Sequence, residues 1–218
     1  RNGNWVALRH DDGWVTTYAH MRKGSLAVRV GQRVARGDKL GLVGLSGNTD
    51  FPHLHFAVTR GNVLLDPFTG QQPTAACGAA TGSLWSPAAQ AELPYRAGGL
   101  LSAGFLDREP THREVMEGIA APASIAADAP VLIFWTGSWG LRKGDRQVLT
   151  ILGPDNEVFV ASERELERDR AVESRWIGKR LRAAAWPPGH YRGLYRLERR
   201  IGGTTVTVFE TQHDVEVR

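Results

Sequence analysis

Two histidines two residues apart, His53 and His55, are followed at once by apolar Phe56, Ala57 and Val58. In an extended strand alternate side chains share a face, so the two imidazoles would stand together while Leu54 points into the core. Imidazoles placed this way can serve one metal ion, or one can bind metal while its neighbour moves a proton. Surface histidines that only make hydrogen bonds show the same spacing, and His-x-His alone leaves both readings open. A third histidine, His20, ends a run rich in β-branched and aromatic residues, two positions after Tyr18. His112, His190 and His213 are scattered and are expected to be structural or solvent-exposed.

The elements that must position these rings read as short strands. Residues 5–10 form an apolar-rich run ended by Asp11-Asp12-Gly13, a turn signal, and residues 14–20 carry strand-type residues, which predicts a β-hairpin. Over residues 28–41 valines alternate with polar residues, punctuated by Gly31 and Gly37, a pattern expected of short strands joined by tight corners. Residues 40–45 predict a further strand, and residues 46–50 a polar loop that delivers the chain to Pro52 and His53. With Val63-Leu64-Leu65-Asp66-Pro67 closing the segment, residues 1–72 predict a compact all-β unit. The glycine-spaced stretch also looks like the hairpins of biotinyl and lipoyl carriers. Those need a lysine at a hairpin tip, whereas Lys39 heads into a strand and Lys23 lies in a loop without a matching hairpin.

A chain of 218 residues with 42% apolar content can bury one or two cores. Its net charge of +4 is concentrated in residues 1–72, which hold nine Lys/Arg against five Asp/Glu. That surplus favours an anionic partner such as a wall polymer or nucleic acid, while the scatter of its basic residues also fits a solvated face. Later acids and bases interleave, most densely over residues 163–170, expected to be a solvated loop or short helix, and no nucleic-acid surface is expected. Cys77 is the single cysteine, so no disulfide forms within the chain, and a bond to a cysteine elsewhere stays open. No apolar run reaches the roughly 18 residues of a membrane span. The chain opens on Arg1-Asn2-Gly3-Asn4 and reads as starting within a longer protein, so missing targeting signals say nothing.

Taken in order, Gly3-Asn4-Trp5-Val6, Tyr18-Ala19-His20-Met21, Val30-Gly31-Gln32-Arg33-Val34, Gly41-Leu42-Val43-Gly44 and His53-Leu54-His55-Phe56 resemble the lysostaphin/LytM-type zinc metallopeptidases, which cut peptide bonds in bacterial peptidoglycan. The resemblance runs from Asn4 to about Phe68. It implies that His55 is a zinc ligand and that His53 and His20 act on the reacting water and the transition state. It also implies an enzyme acting on peptidoglycan stem peptides or crosslinks, in the periplasm or outside the cell. The family's other two zinc ligands, in a His-x-x-x-Asp motif, come earlier than the residues this sequence contains; His10 and Asp11 are adjacent and have the wrong spacing. The zinc site is therefore expected to be incomplete here, and these residues alone to be inactive. The loop over residues 47–52 is shorter than the family's glycine- and serine-rich loop, which bears on the substrate groove, and Ala57 stands where an acidic residue often follows the phenylalanine.

Residues 73–91 have linker composition, in which Leu84 and Trp85 could dock onto a neighbouring domain. Beyond them, residues 99–106, 131–135, 147–152, 157–160, 176–184, 191–198, 204–210 and 215–217 predict strands, and Thr111-His112-Arg113-Glu114 a capping box opening a short helical turn. Residues 92–218 are thus expected to be an immunoglobulin-like β-sandwich with an accessory binding or positioning role. The expected architecture is all-β: an incomplete peptidase sheet (residues 1–72), a linker and a sandwich. A non-catalytic relative of the same fold that binds and activates other cell-wall hydrolases is the alternative function; such proteins typically lose site histidines, whereas His20, His53 and His55 are all present.

Overall fold

Four short antiparallel strands build the first sheet. The structure, a computed structural model, describes residues 2–73 and 82–218; Cys77 and its pairing lie outside the described residues. Strand β1 (Asn4–Arg9) runs antiparallel to β2 (Trp14–Met21) across a 3-10 turn at Asp11–Gly13, where Asp12 takes a φ of 56°. β2 pairs with β3 (His55–Arg60), and β3 with β4 (Val63–Leu65), giving an antiparallel sheet of order β1-β2-β3-β4. Val6, Ala19, Met21 and Val58 are its buried apolar residues.

The strands expected over residues 28–41 and 40–45 do not form. Residues 22–54 are held instead by turns and by two isolated bridges, Met21 to Val43 and Gly44 to His53. Gly31 and Gly37, at φ 82° and 91°, reverse the chain before a ladder can extend. Val30 is fully exposed and Val43 half exposed, so these valines lack the packed surface on which strand propensity rests. Gly44 permits the close approach: a Cβ there would overlap the Arg22 backbone nitrogen.

Chain contacts divide the molecule after Tyr95. Trp85 stacks on Phe56 of β3 at 5.3 Å and meets Phe68 edge-on, and Tyr95 packs against Phe68. Helix α1 (Pro87–Glu92), capped by the Ser86 hydroxyl, lies between these aromatic contacts in sequence.

The second unit is a pair of facing sheets. Strands β5 (Gly99–Leu106), β7 (Val131–Leu141) and β10 (Arg170–Arg180) form one sheet, in the order β10-β7-β5. Strands β6 (Ser124–Ile125), β8 (Arg146–Leu152), β9 (Val158–Glu165), β11 (Gly189–Ile201) and β12 (Thr204–Val217) form the other, in the order β6-β12-β11-β8-β9. Only the β6–β12 pair is parallel. Phe105, Leu132 and Phe134 of one sheet meet Leu149, Ile151, Tyr191 and Val215 of the other in a common core. Gly193 gives Phe134 its place, since a Cβ there would strike the ring. Helix α2 (His112–Glu117) opens with the expected capping box and packs buried Val115 beside Gly137 of β7, which explains why β7 is buried on both faces.

Two expectations for this unit are corrected. Residues 163–170 are a loop only over residues 166–169: β9 runs to Glu165 and β10 starts at Arg170, with Leu166 buried and Glu167, Arg168 and Asp169 exposed between them. The charges sit there because β9 and β10 are edge strands, where charged side chains stay solvated without breaking pairing. Residues 204–217 form one strand instead of two. The ladder to β11 continues through polar Thr211, Gln212, His213 and Asp214, because backbone groups pair whatever the side chains are.

Tyr195 is buried in this unit, with its hydroxyl 3.3 Å from Ser138 Oγ, and burial pushes its pKa up to about 12. Its folded pKa thus lies above the ordinary value of 10, so its contribution to stability is complete below pH 10 and lost as pH rises towards 12. Between pH 8 and pH 11 the melting temperature of Tyr195→Phe is expected to fall less than that of the unaltered protein. An equal fall would show that Tyr195 carries no alkaline linkage.

Candidate metal centre

The three histidines singled out by spacing come together at one end of the first sheet. One ring nitrogen from each of His20, His53 and His55 lies within 4.8 Å of the others. Ring centroids are 4.9 Å apart for His20 and His53, and 5.5 Å for His20 and His55. The β2–β3 register sets this up by pairing Ala19 with His55. His53 enters through its bridge to Gly44. Leu54, expected in the core, is half exposed: it precedes β3 and has no facing sheet to cover it.

His20 is buried and holds a left-handed backbone at φ 60°, uncommon outside glycine. Its backbone N–H donates to the Asn2 carbonyl, and its Nδ1 lies 2.8 Å from the Ser46 carbonyl. Ser46 in turn donates its hydroxyl to the Met21 carbonyl and accepts the Asn4 N–H. Gly3 is packed against the same residue, where a Cβ would overlap the Ser46 carbonyl. His53 is held similarly: Nδ1 is 2.9 Å from the Phe51 carbonyl and 3.1 Å from Thr49 Oγ1, and the Phe51 ring stacks on the imidazole at 4.6 Å.

A carbonyl can only accept, so in both histidines Nδ1 carries a proton. In the neutral ring Nε2 then presents a lone pair. Backbone carbonyls commonly orient metal-binding or proton-transferring histidines in this way. His55 is more exposed; burial first, then the neighbouring His20 and His53 charges, lower its pKa from the ordinary 6.5 and favour the neutral ring a metal requires. Three clustered imidazoles, two with fixed tautomers, are a donor set suited to zinc, and the same rings can accept protons.

His10, judged unsuitable as a ligand, is exposed and bonds Thr16 Oγ1. His112 bonds Ser174 in the second unit. Sequence reasoning missed Ser46, Thr49 and Phe51. Thr49 sat within a recognised polar loop, but the Ser46 and Phe51 contributions are main-chain carbonyls, which no residue type announces. Among the described residues no helix is long and apolar enough to cross a membrane.

Residues 1–67 match the family model described as Peptidase family M23. Over 54 residues the chain is 48% identical to the cell division protein DipM of Caulobacter vibrioides, an alignment covering 25% of this chain and 8% of that protein. It is 34% identical over 74 residues to the peptidoglycan DD-endopeptidase ShyC of Vibrio cholerae, covering 34% and 17% of the two chains. With ShyA of the same organism, also a peptidoglycan DD-endopeptidase, identity is 40% over 60 residues, covering 27% and 14%. The chain thus spans less than a fifth of the length of these curated relatives.

Proposed function

Residues 1–67 belong to peptidase family M23, and from that premise we propose that the chain is part of a zinc-dependent endopeptidase hydrolysing peptide bonds in bacterial peptidoglycan. The observation that carries the reading is the convergence of His20, His53 and His55 within that segment. His55 is assigned as the zinc ligand. Zinc held there would lower the pKa of a bound water and polarise the scissile carbonyl. His53 takes up the proton on Nε2, its orientation fixed by the Phe51 carbonyl and Thr49. His20 steadies the developing negative charge, which with Nδ1 committed to Ser46 requires a second proton on Nε2. The site of action would be the periplasm or cell exterior, where the polymer lies.

Catalytic zinc needs three protein ligands and an open position, and these 218 residues contain no His-x-x-x-Asp. By themselves they are expected to release no soluble fragments from purified peptidoglycan, whereas a parent chain carrying that motif is expected to release them in a chelator-sensitive manner. Chromatography of the digest checks both. A motif-bearing parent that leaves peptidoglycan intact would overturn the peptidase reading. It would favour the second reading, a non-catalytic protein that binds and activates other wall hydrolases.

A further inference from the structure

β9 and β10 are the edge strands of the two facing sheets, so the second unit is open between them. A cavity of about 640 Å³ lies at this opening, lined among others by Phe159, Lys179, Arg180, Arg182 and Trp186. A second cavity, of about 350 Å³, shares Gly178, Lys179 and Arg180 with it and adds Trp176 and Glu109. Both fall in the size range of small-ligand sites, roughly 300–1,000 Å³.

Three cations meet here and are unevenly matched. Arg180 pairs with Glu109 at 3.4 Å. Lys179 and Arg182 have no carboxylate within ion-pair distance among the described residues, and no acidic side chain lines the larger cavity. Lys179 instead sets its ammonium 4.4 Å over the Phe159 ring, and that ring is fixed edge-on by Trp186 and Tyr191. An aromatic face thus keeps the charge at the groove without neutralising it. The rest of the larger cavity's wall is largely apolar, with Phe159, Trp186 and Pro187 beside the charges.

An ammonium and a guanidinium free of acids call for an anion, and the apolar wall beside them suits the C–H face of a sugar ring. Basic residues over the rest of this unit are balanced by acids: residues 73–218 carry equal numbers of Lys/Arg and Asp/Glu, which disfavours a polyanion tracked over a broad surface. We propose that the groove between β9 and β10 binds a carboxylate-bearing saccharide, with Lys179 and Arg182 holding the carboxylate and the wall of Phe159, Trp186 and Pro187 packing on the sugar. This rests on the reading of the chain as acting on peptidoglycan, whose strands carry both groups, and gives the second unit the task of holding the polymer.

Calorimetric titration of the full chain with three probes tests it: purified disaccharide-peptides from peptidoglycan, oligogalacturonate and neutral chitotetraose. The carboxylated probes are expected to bind, and chitotetraose at least 10-fold more weakly. Lys179→Ala combined with Arg182→Ala should weaken carboxylate binding at least 10-fold at an unchanged melting temperature, Lys179→Arg should retain it, and Trp176→Ala, on the other face of β10, should leave it unchanged. Binding of oligogalacturonate alone would keep the site and assign it to an acidic glycan other than peptidoglycan. Failure of both carboxylated probes, equal binding of chitotetraose, or undiminished binding by the double variant would overturn the proposal. Binding that persists where a motif-bearing parent cuts no peptidoglycan would keep the groove and remove only the peptidase reading.

Discussion

Replacing His53 by Ala in a parent chain that also carries His-x-x-x-Asp is expected to slow peptidoglycan cleavage roughly 10²–10⁴-fold, the range for loss of a general base, with zinc content nearly unchanged. The expectation rests on how His53 is held. Nδ1 faces the Phe51 carbonyl and Thr49 Oγ1, and Phe51 stacks on the ring, so Nε2 is the nitrogen left for chemistry. His55→Ala should behave differently, losing bound zinc together with activity, because it removes a ligand and not a proton acceptor. Metal analysis of the purified variants separates the two. Loss of zinc from the His53 variant would reassign that residue as a ligand, an option the clustering of all three rings leaves open. His20→Ala is expected to reduce turnover with zinc retained, and near-normal turnover would remove its assigned role. Thr49→Val should cost far less than His53→Ala, because the Phe51 carbonyl still fixes the Nδ1 proton.

Much of this centre was legible because the relevant periodicities are short. Antiparallel pairing of β2 with β3 sets Ala19 opposite His55 and so brings His20 beside it, while His53, which precedes β3, is placed by its bridge to Gly44. The hairpin at Asp11–Gly13, strand β5 and the capping box at Thr111 were legible for the same reason, since local residue types dictate them. What failed depended on distant partners. Alternating valines over residues 28–41 promised strands, but no neighbouring strand lies beside Val30 to reward them. Leu54 promised a core residue, but nothing covers it. The carbonyls of Ser46 and Phe51 were invisible for a different reason: every residue has one, and only the path of the chain decides which faces an imidazole.

The first site and the sandwich also differ in how charge is handled. At the histidine cluster, backbone carbonyls fix the tautomers of His20 and His53, and among the described residues no carboxylate forms an ion pair with the three rings. In the second unit, charge is matched side chain to side chain. Arg175 reaches the Gln147 carbonyl and Ser162, Arg164 and Arg170 pair with the largely buried Glu173, and Asp145 meets Arg199. Matched pairs of this kind favour a rigid scaffold, whereas Lys179 and Arg182 line a cavity that holds no acidic side chain, which makes them candidate ligand contacts.

Of these pairs Asp145–Arg199 carries the largest expected effect on stability. Asp145 is fully buried; both its oxygens accept from Arg199, each at 2.7 Å, and Oδ2 also accepts the Arg142 N–H at 2.8 Å. Arg199, itself 9% exposed, spends a further N–H on the Gly140 carbonyl. Asp145→Ala would leave a buried guanidinium without its counter-charge and a turn without its cap. Breaking one side of such a pair costs about 3–5 kcal/mol, enough to lower the melting temperature of a unit this size by on the order of 10 °C or more. The loss should appear in the transition of residues 96–218, which tryptophan fluorescence and urea titration can follow. Asp145→Ala combined with Arg199→Met should recover part of it, because the second substitution removes the stranded charge. A single variant within about 0.5 kcal/mol of the unaltered protein, a shift typical of surface sites, would mean that Arg199 finds another acceptor or reaches water. No recovery in the double variant would place the cost in the Arg142 turn, where Asp145 Oδ2 is the acceptor, and not in the ion pair.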